Sequence, residues 1–223
     1  MIRLLAANIK QDIDDNKINE FLKLISNEKL DKINKYKFRE DYLRSLYGDI
    51  LVRSEIMKQL KVPNSCIKFK LNEYGKPSIG GYDNLFFNIS HSGDWVICAI
   101  SNEEVGVDIE KIEKAPIEVA EHYFDSREYK LIKSKAPEEI DEFFYKLWTL
   151  KESYIKWIGK GLSVQLDSFN VVEDLNGDFY IESNKDLKLS QYKFHKNYII
   201  SLCSREAFKD EIEIVDMNNI YCS

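Results

Sequence analysis

Two segments some forty residues apart constrain this chain more than any other feature: Val105-Gly106-Val107-Asp108-Ile109-Glu110 and Trp148-Thr149-Leu150-Lys151-Glu152-Ser153-Tyr154-Ile155-Lys156. In the first, Val105, Val107 and Ile109 alternate with Gly106, Asp108 and Glu110, the period of a strand with one apolar face. Asp108 and Glu110 then share the other face, about 7 Å apart along the strand. Two carboxylates so placed repel each other unless a positive charge lies between them, and a hard divalent cation is the usual one. The second segment has helical spacing: Leu147, Leu150, Tyr154 and Ile158 fall on one stripe, and Trp148, Glu152 and Lys156 lie together on its flank. Glu152 adds a third carboxylate beside Lys151 and Lys156. Three carboxylates with nearby lysines describe a site for magnesium and a phosphate ester.

Each of these groups also has a plainer account. Asp108 and Glu110 could be solvent-facing charges on a half-exposed strand, and Glu152 with Lys156 an i,i+4 surface pair worth about 0.2–0.5 kcal/mol. Gly106 weighs against the first, because on the carboxylate face it leaves open space beside the acids. Ser90-His91 suggests a hydrolase nucleophile and base, but adjacent residues of an extended chain point to opposite sides and no G-x-S-x-G turn is present. Lys29, Lys32, Lys35, Lys37 and Arg39 read first as a solvated basic face, on which Lys29 and Lys32 at i,i+3 could grip one phosphate.

The chain has 223 residues, enough for one large core or two small ones, with 44% apolar and 31% charged residues. A net charge of −6 argues against a general nucleic-acid binder. Cys66, Cys98, Cys203 and Cys222 are scattered without a C-x-x-C pair, and no zinc-ligand spacing exists. Met1–Lys10 lacks an apolar core of signal-peptide length, and no stretch reaches the length of a membrane span. The expectation is a reduced, cytoplasmic, monomeric protein that engages neither nucleic acid nor membrane.

Periodicity predicts a strand at 2–6, helices near 18–25 and 28–38, and a long helix over 40–60 that Pro63 closes. Strands follow at 67–71, 85–89, 95–101 and 105–110. The second half carries helices at 117–124 and 127–133, a long helix over 138–158 stopped by Gly159 and Gly161, and strands at 168–172, 178–181 and 198–204. Asp94–Ser101 matches Asn197–Ser204 in pattern at an offset of 103 positions, and Leu46-Tyr47 matches Leu147-Trp148 at 101. Either short β-runs recur by coincidence or the halves are duplicates.

Taken in order, the segments identify a resemblance. Gly106–Glu110 and Trp148–Lys156 match the G-[VI]-D-x-E and W-x-x-K-E-[SA]-x-x-K elements of the 4′-phosphopantetheinyl transferases, specifically the larger single-chain type. Asn88-Ile89-Ser90-His91-Ser92 and Tyr74-Gly75-Lys76-Pro77 match two further family elements, at family-like spacings. The resemblance implies an α+β pseudo-dimer of two similar halves, 1–102 and 103–223, each a long helix on a small antiparallel sheet, with the active site between them. It implies transfer of the 4′-phosphopantetheine arm of coenzyme A to a serine of an apo acyl or peptidyl carrier protein, with Mg²⁺ as cofactor.

Residue by residue, the resemblance makes Asp108, Glu110 and Glu152 metal ligands, with Asp108 also close to coenzyme A. Glu152 becomes the candidate base, Lys156 a contact to the pyrophosphate, and Lys151 a further phosphate contact. Glu128 becomes a base or supporting acid. Lys29, Lys32, Arg44, Ser45, Lys76, Asn88, Ser90 and His91 fall to the nucleotide end of coenzyme A. The segment Gly159–Leu166, with Lys160, Leu162 and Val164 exposed, becomes the carrier-docking surface. The rivals are a Mg²⁺-dependent hydrolase of coenzyme A or a related dinucleotide, which would release adenosine bisphosphate without any carrier, and a non-catalytic binding module, which would survive loss of Asp108.

Overall fold

The computed structural model describes residues 2–208 and 211–221, the side chain of Leu162 excepted. Two sheets form its centre. The first has the order β11-β1-β5-β4, from β1 (Arg3–Asn8), β4 (Phe86–Ser92), β5 (Trp95–Ser101) and β11 (Glu213–Ile214). The second has the order β6-β10-β9-β8-β7, from β6 (Gly106–Lys111), β7 (Val171–Glu173), β8 (Phe179–Ile181), β9 (Asn184–Phe194) and β10 (Tyr198–Ser204). All neighbours in both sheets are antiparallel except β1 and β11. A separate hairpin, β2 (Phe69–Leu71) with β3 (Pro77–Ile79), holds Tyr74-Gly75-Lys76 in its turn.

Helix α3 (Arg39–Leu60) lies on the first sheet and α6 (Ile140–Ile158) on the second. The central strands β5 and β10 are buried at every position, because both of their faces are covered. Val96, Cys98 and Ile100 join the core under α3, whereas Trp95, Ile97 and Ala99 meet Val107, Ile109, Ile200 and Leu202 in a second core between the sheets. A third core gathers α6, α4 (Ile117–Tyr123), α5 (Ser126–Lys133) and the β7–β9 ribbon. The short helices α1 (Asp15–Leu24) and α2 (Asn27–Ile33) pack on α3.

Most predicted elements form within a few residues of their expected limits. The predicted helix over 28–38 stops at Ile33, and Lys35, Lys37 and the chain up to α3 form a turn. The predicted strand at 168–172 begins only at Val171, after a 3₁₀ turn at Leu166–Ser168. Strands β3, β9 and β11 were not expected. Gly159 does end α6, at φ +73° with its amide bonded to the Ile155 carbonyl. Cys66, Cys98 and Cys203 are free thiols, and Cys222 lies outside the described residues. Among the described residues no helix is long and apolar enough to cross a membrane.

Candidate active site

The two sheets meet where their edge strands β4 and β6 run side by side, and side chains rather than backbone groups close that seam. On β6, the amides of Val107, Ile109 and Lys111 point away from β10. Asn88 Oδ1 accepts from Val107 at 2.9 Å, Ser90 Oγ from Ile109 at 3.3 Å and Ser92 Oγ from Lys111 at 3.1 Å. Alternate residues of β4 thus satisfy alternate amides of β6. The two serines also donate, Ser90 to Asp108 Oδ1 at 2.8 Å and Ser92 to Glu110 Oε2 at 2.7 Å. The N-[IV]-S-H-S segment is therefore the device that both joins the sheets and orients the acids.

Gly106 sets the height of α6 above this seam. A Cβ there would stand 3.0 Å from Trp157 Cα and closer still to the Ser153 carbonyl oxygen and the Trp157 amide. The space beside the carboxylates is therefore filled by helix backbone and is not open, as the sequence suggested. Beneath the helix, Thr149 Oγ1 and Ser201 Oγ lie 2.7 Å apart, and Gln191 donates to Ser201 at 2.8 Å. Ser201 is the β10 partner of Asp108. A fully bonded polar group in an otherwise apolar contact fixes how the helix sits on the sheet.

So seated, α6 brings Lys156 to 2.7 Å from Asp108 Oδ1 and 2.8 Å from Ser90 Oγ. The Ser90 hydroxyl is saturated by one donated and two accepted bonds, which excludes it as a nucleophile. Asp108 Oδ2 is buried and has no hydrogen-bond partner. A cavity of about 760 Å³ opens here, lined from β4 by Ile89, Ser90 and His91, from β6 by Asp108 and Glu110, and from α6 by Trp148, Glu152, Ile155 and Lys156. Burial, followed by the charge of Asp108, pushes Glu110 up to about 7, and the same two causes raise Glu152. Desolvation, then the cations Arg44 and Lys156, hold the His91 imidazole below its ordinary value.

These carboxylates do not by themselves form a closed metal cage. Among the described residues, no three His, Cys, Asp or Glu side chains are gathered closely enough to hold a metal ion unaided. Lys156 occupies one Asp108 oxygen and Ser92 one Glu110 oxygen. The donor set nevertheless fits a hard divalent cation. It is all carboxylate oxygen, the charge of Asp108 raises the proton affinity of both Glu110 and Glu152, and Asp108 keeps one buried oxygen without a partner.

The other residues singled out from the sequence divide sharply. Arg44 approaches from α3, donating to the Gly93 carbonyl at 2.6 Å and to Asp41 at 2.6 Å, and half-buried Ser45 follows it. Asn88 works in the seam and does not line the cavity. Lys76 reaches Glu104 at 2.6 Å and the Trp157 carbonyl at 3.1 Å, tying the β2–β3 turn to the end of α6. Lys29 lies 3.9 Å from Asp49, burial lowers its pKa, and Lys32 is exposed on α2.

Lys151 and Glu128 are not in the cavity at all, although the resemblance assigned one to phosphate and the other to proton transfer. They form a buried pair at 2.7 Å. In the segment expected to dock the carrier, the exposure of Val164 is corrected. Gly159 packs on the Lys76 side chain, Lys160 is exposed, Val164 is half-buried in the cavity wall, and the Leu162 side chain lies outside the described residues. The wall continues through Gln165, Leu166 and Asp167, and His122 and Tyr123 complete it. Gln165 and Leu166 fall within the expected docking segment, whereas sequence reasoning missed Asp167, His122 and Tyr123. The one available signal was their position directly before the Phe124-Asp125 helix start and the 168–172 strand signal.

Residues 104–203 match the family described as the 4′-phosphopantetheinyl transferase superfamily, and residues 13–103 match the one described as 4′-phosphopantetheinyl transferase, N-terminal. The chain is 36% identical over 223 residues to 4′-phosphopantetheinyl transferase Sfp of Bacillus subtilis (strain 168), covering 98% of this chain and 100% of that protein. It is 39% identical over 206 residues to 4′-phosphopantetheinyl transferase gsp of Aneurinibacillus migulanus, covering 92% and 86%. A solved holo-(acyl-carrier-protein) synthase of Bacillus anthracis, in complex with CoA (3′,5′-ADP), overlays on 45% of this chain and 92% of that one, at 21% identity and a TM-score of 0.39, too loosely to inform the site. Identity at this level along the whole length makes the chain a member of the 4′-phosphopantetheinyl transferase superfamily.

Proposed function

We propose that this enzyme moves the 4′-phosphopantetheine arm of coenzyme A onto a serine hydroxyl of an apo acyl or peptidyl carrier protein, acting as a cytoplasmic monomer. The observation that carries the site assignment is Asp108, with one oxygen held by Lys156 and Ser90 and the other buried and unpaired, flanked in one cavity by Glu110 and Glu152. In the reaction the serine oxygen forms a bond to the phosphorus that carries pantetheine. The bond from that phosphorus to the phosphate of adenosine 3′,5′-bisphosphate breaks, and the serine proton passes to a carboxylate. Positioning and electrostatics do most of such work.

Glu152 suits the proton transfer, since burial and Asp108 raise its pKa towards the working pH. Lys156 spends two of its three N–H donors on Ser90 and Asp108, which leaves one to meet a diphosphate oxygen and offset charge on the leaving phosphate. His91, held neutral, and Arg44 suit the nucleotide end. Asp108, Glu110 and Glu152 would hold Mg²⁺, which when bound supplies positive charge to the diphosphate. We further read the halves as a duplication. In support, each long helix covers a hairpin, β4–β5 or β9–β10, and Trp95 and Tyr198, at the 103-residue offset, both enter the core between the sheets.

The test is mass spectrometry of apo carriers of several classes incubated with the enzyme, coenzyme A and Mg²⁺. A phosphopantetheine mass gain confined to the carrier serine is expected, and it should vanish in Asp108→Ala. Release of adenosine 3′,5′-bisphosphate without a carrier would replace transfer by hydrolysis, and coenzyme A binding without turnover would leave only a binding module.

A further inference from the structure

Lys151 and Glu128 form a charged pair buried away from the site. Lys151 is 0% exposed and Glu128 3%, both outside the cavity. Desolvating two charges is expensive, and well-packed apolar residues of the same volume are often as stable or more so. Stability alone therefore does not account for the pair; what it connects does.

The bonds of the pair converge on two segments, the start of α5 and the stretch Phe169–Val171. Lys151 donates to Glu128 and, at 2.9 Å, to the Phe169 carbonyl, with the rings of Phe124 and Phe169 on either side. Glu128 accepts from the Val171 amide at 2.8 Å and from the Asp125 amide at 3.2 Å, the second being half of a capping box on α5. Phe124 in turn stacks on Trp148. Three stretches of cavity wall end at these anchors. His122 and Tyr123 run into Phe124 and Asp125, Val164–Asp167 runs into Phe169, and Glu152 follows Lys151 on α6. The nucleotide side, with Ser90, His91 and Arg44, has no bond to the pair.

We propose that Lys151 and Glu128 are a positioning pair that registers the two walls around Tyr123 and Val164–Asp167 against the catalytic helix, so that these walls receive the carrier segment bearing the serine. This rests on the transferase reading for the identity of what enters. Neither residue touches substrate or exchanges a proton with it.

Glu128→Gln, Lys151→Met and the double variant separate this role from a structural and a chemical one. Thermal unfolding first gives the folded fraction. In the folded protein, we expect the KM for the carrier to rise at least tenfold in all three variants. The Kd for coenzyme A should stay within twofold, and the acidic limb of the kcat/KM profile should be kept. The double variant removes the buried charges and regains stability, so it carries the test if a single variant does not fold. Trp148 emission, isolated by difference from Trp148→Phe, should shift in all three, with or without catalysis.

Kinetic constants and Trp148 emission unchanged in every folded variant would overturn the proposal in favour of a purely structural pair. A collapse of kcat in Glu128→Gln, with carrier KM kept and the acidic limb lost, would make Glu128 a base instead. Absence of transfer by the wild-type protein alone would sink the transferase reading, and the emission shift would still decide whether the walls depend on the pair.

Discussion

Substituting Gly106 by alanine tests whether the spacing between α6 and β6 governs the chemistry. The backbone of Gly106 is not left-handed, so an added methyl carries no conformational penalty and its whole effect is steric. That carbon would lie 3.0 Å from Trp157 Cα, whereas carbon atoms rest about 3.5–4.0 Å apart. The helix must therefore retreat about 0.5–1 Å on that contact alone, and further to clear the Ser153 carbonyl. Overpacking of this kind costs about 1–3 kcal/mol. In a protein of this size that lowers Tm by about 2–12 °C. Lys156 and Glu152 ride on the displaced helix, and an error of about 1 Å in a catalytic group can cost about a hundredfold in rate. The assay is thermal unfolding, then kcat/KM for carrier modification measured well below Tm, so that only folded enzyme counts. A Tm that falls while kcat/KM stays within threefold of wild type would refute the reasoning.

Lys156→Met removes the ammonium that occupies Asp108. Calorimetry on the coenzyme A-free protein should show Mg²⁺ binding tighten about tenfold or more, while carrier modification falls sharply; unchanged metal affinity would count against Asp108 as a ligand. The same titration at several pH values reports on Glu110. With its pKa pushed up to about 7 in the free protein, the carboxyl is largely protonated below that pH and must give up its proton to bind metal. Apparent affinity should fall about tenfold per unit below pH 7 and level off above it, whereas a flat profile would remove Glu110 from the metal shell.

The residues legible in sequence are those whose neighbours are local. Asp108 and Glu110 share a face because a strand repeats every two residues, and Glu152 and Lys156 because a helix repeats every 3.6, so the structure finds all four in one cavity. Lys151 was misassigned because helical spacing gives direction but not depth, and the partner that buries it stands 23 residues earlier. Gly106 announced that a side chain was absent but not that a helix filled the gap. Strand β9, with the sequence NKDLKLSQYKF, hides behind its lysines, since only Leu187, Leu189 and Phe194 are buried. The walls at His122–Tyr123, which end α4, and at Val164–Asp167 carry no pattern that marks them as cavity lining; they run into Asp125 and Phe169, which Glu128 and Lys151 bond.

The path of the last strand bears on how the protein is made. After β10 the chain leaves the second sheet and lays β11 beside β1, pairing Leu5 with Glu213 and Ala6 with Ile214. Val215 then bonds to the Ala6 carbonyl at 2.8 Å, Met217 is fully buried in the core beneath α3, and Arg3 links Glu55 to Glu213. A nascent chain emerging from the ribosome has β1, β5 and α3 early, but it has nothing to cover the free edge of β1 or to fill the place of Met217. An uncovered strand edge invites pairing with other chains, and contacts this distant in sequence form slowly. Domains generally fold in the order of synthesis. Here β1, the first strand translated, must wait with its edge open for some two hundred further residues.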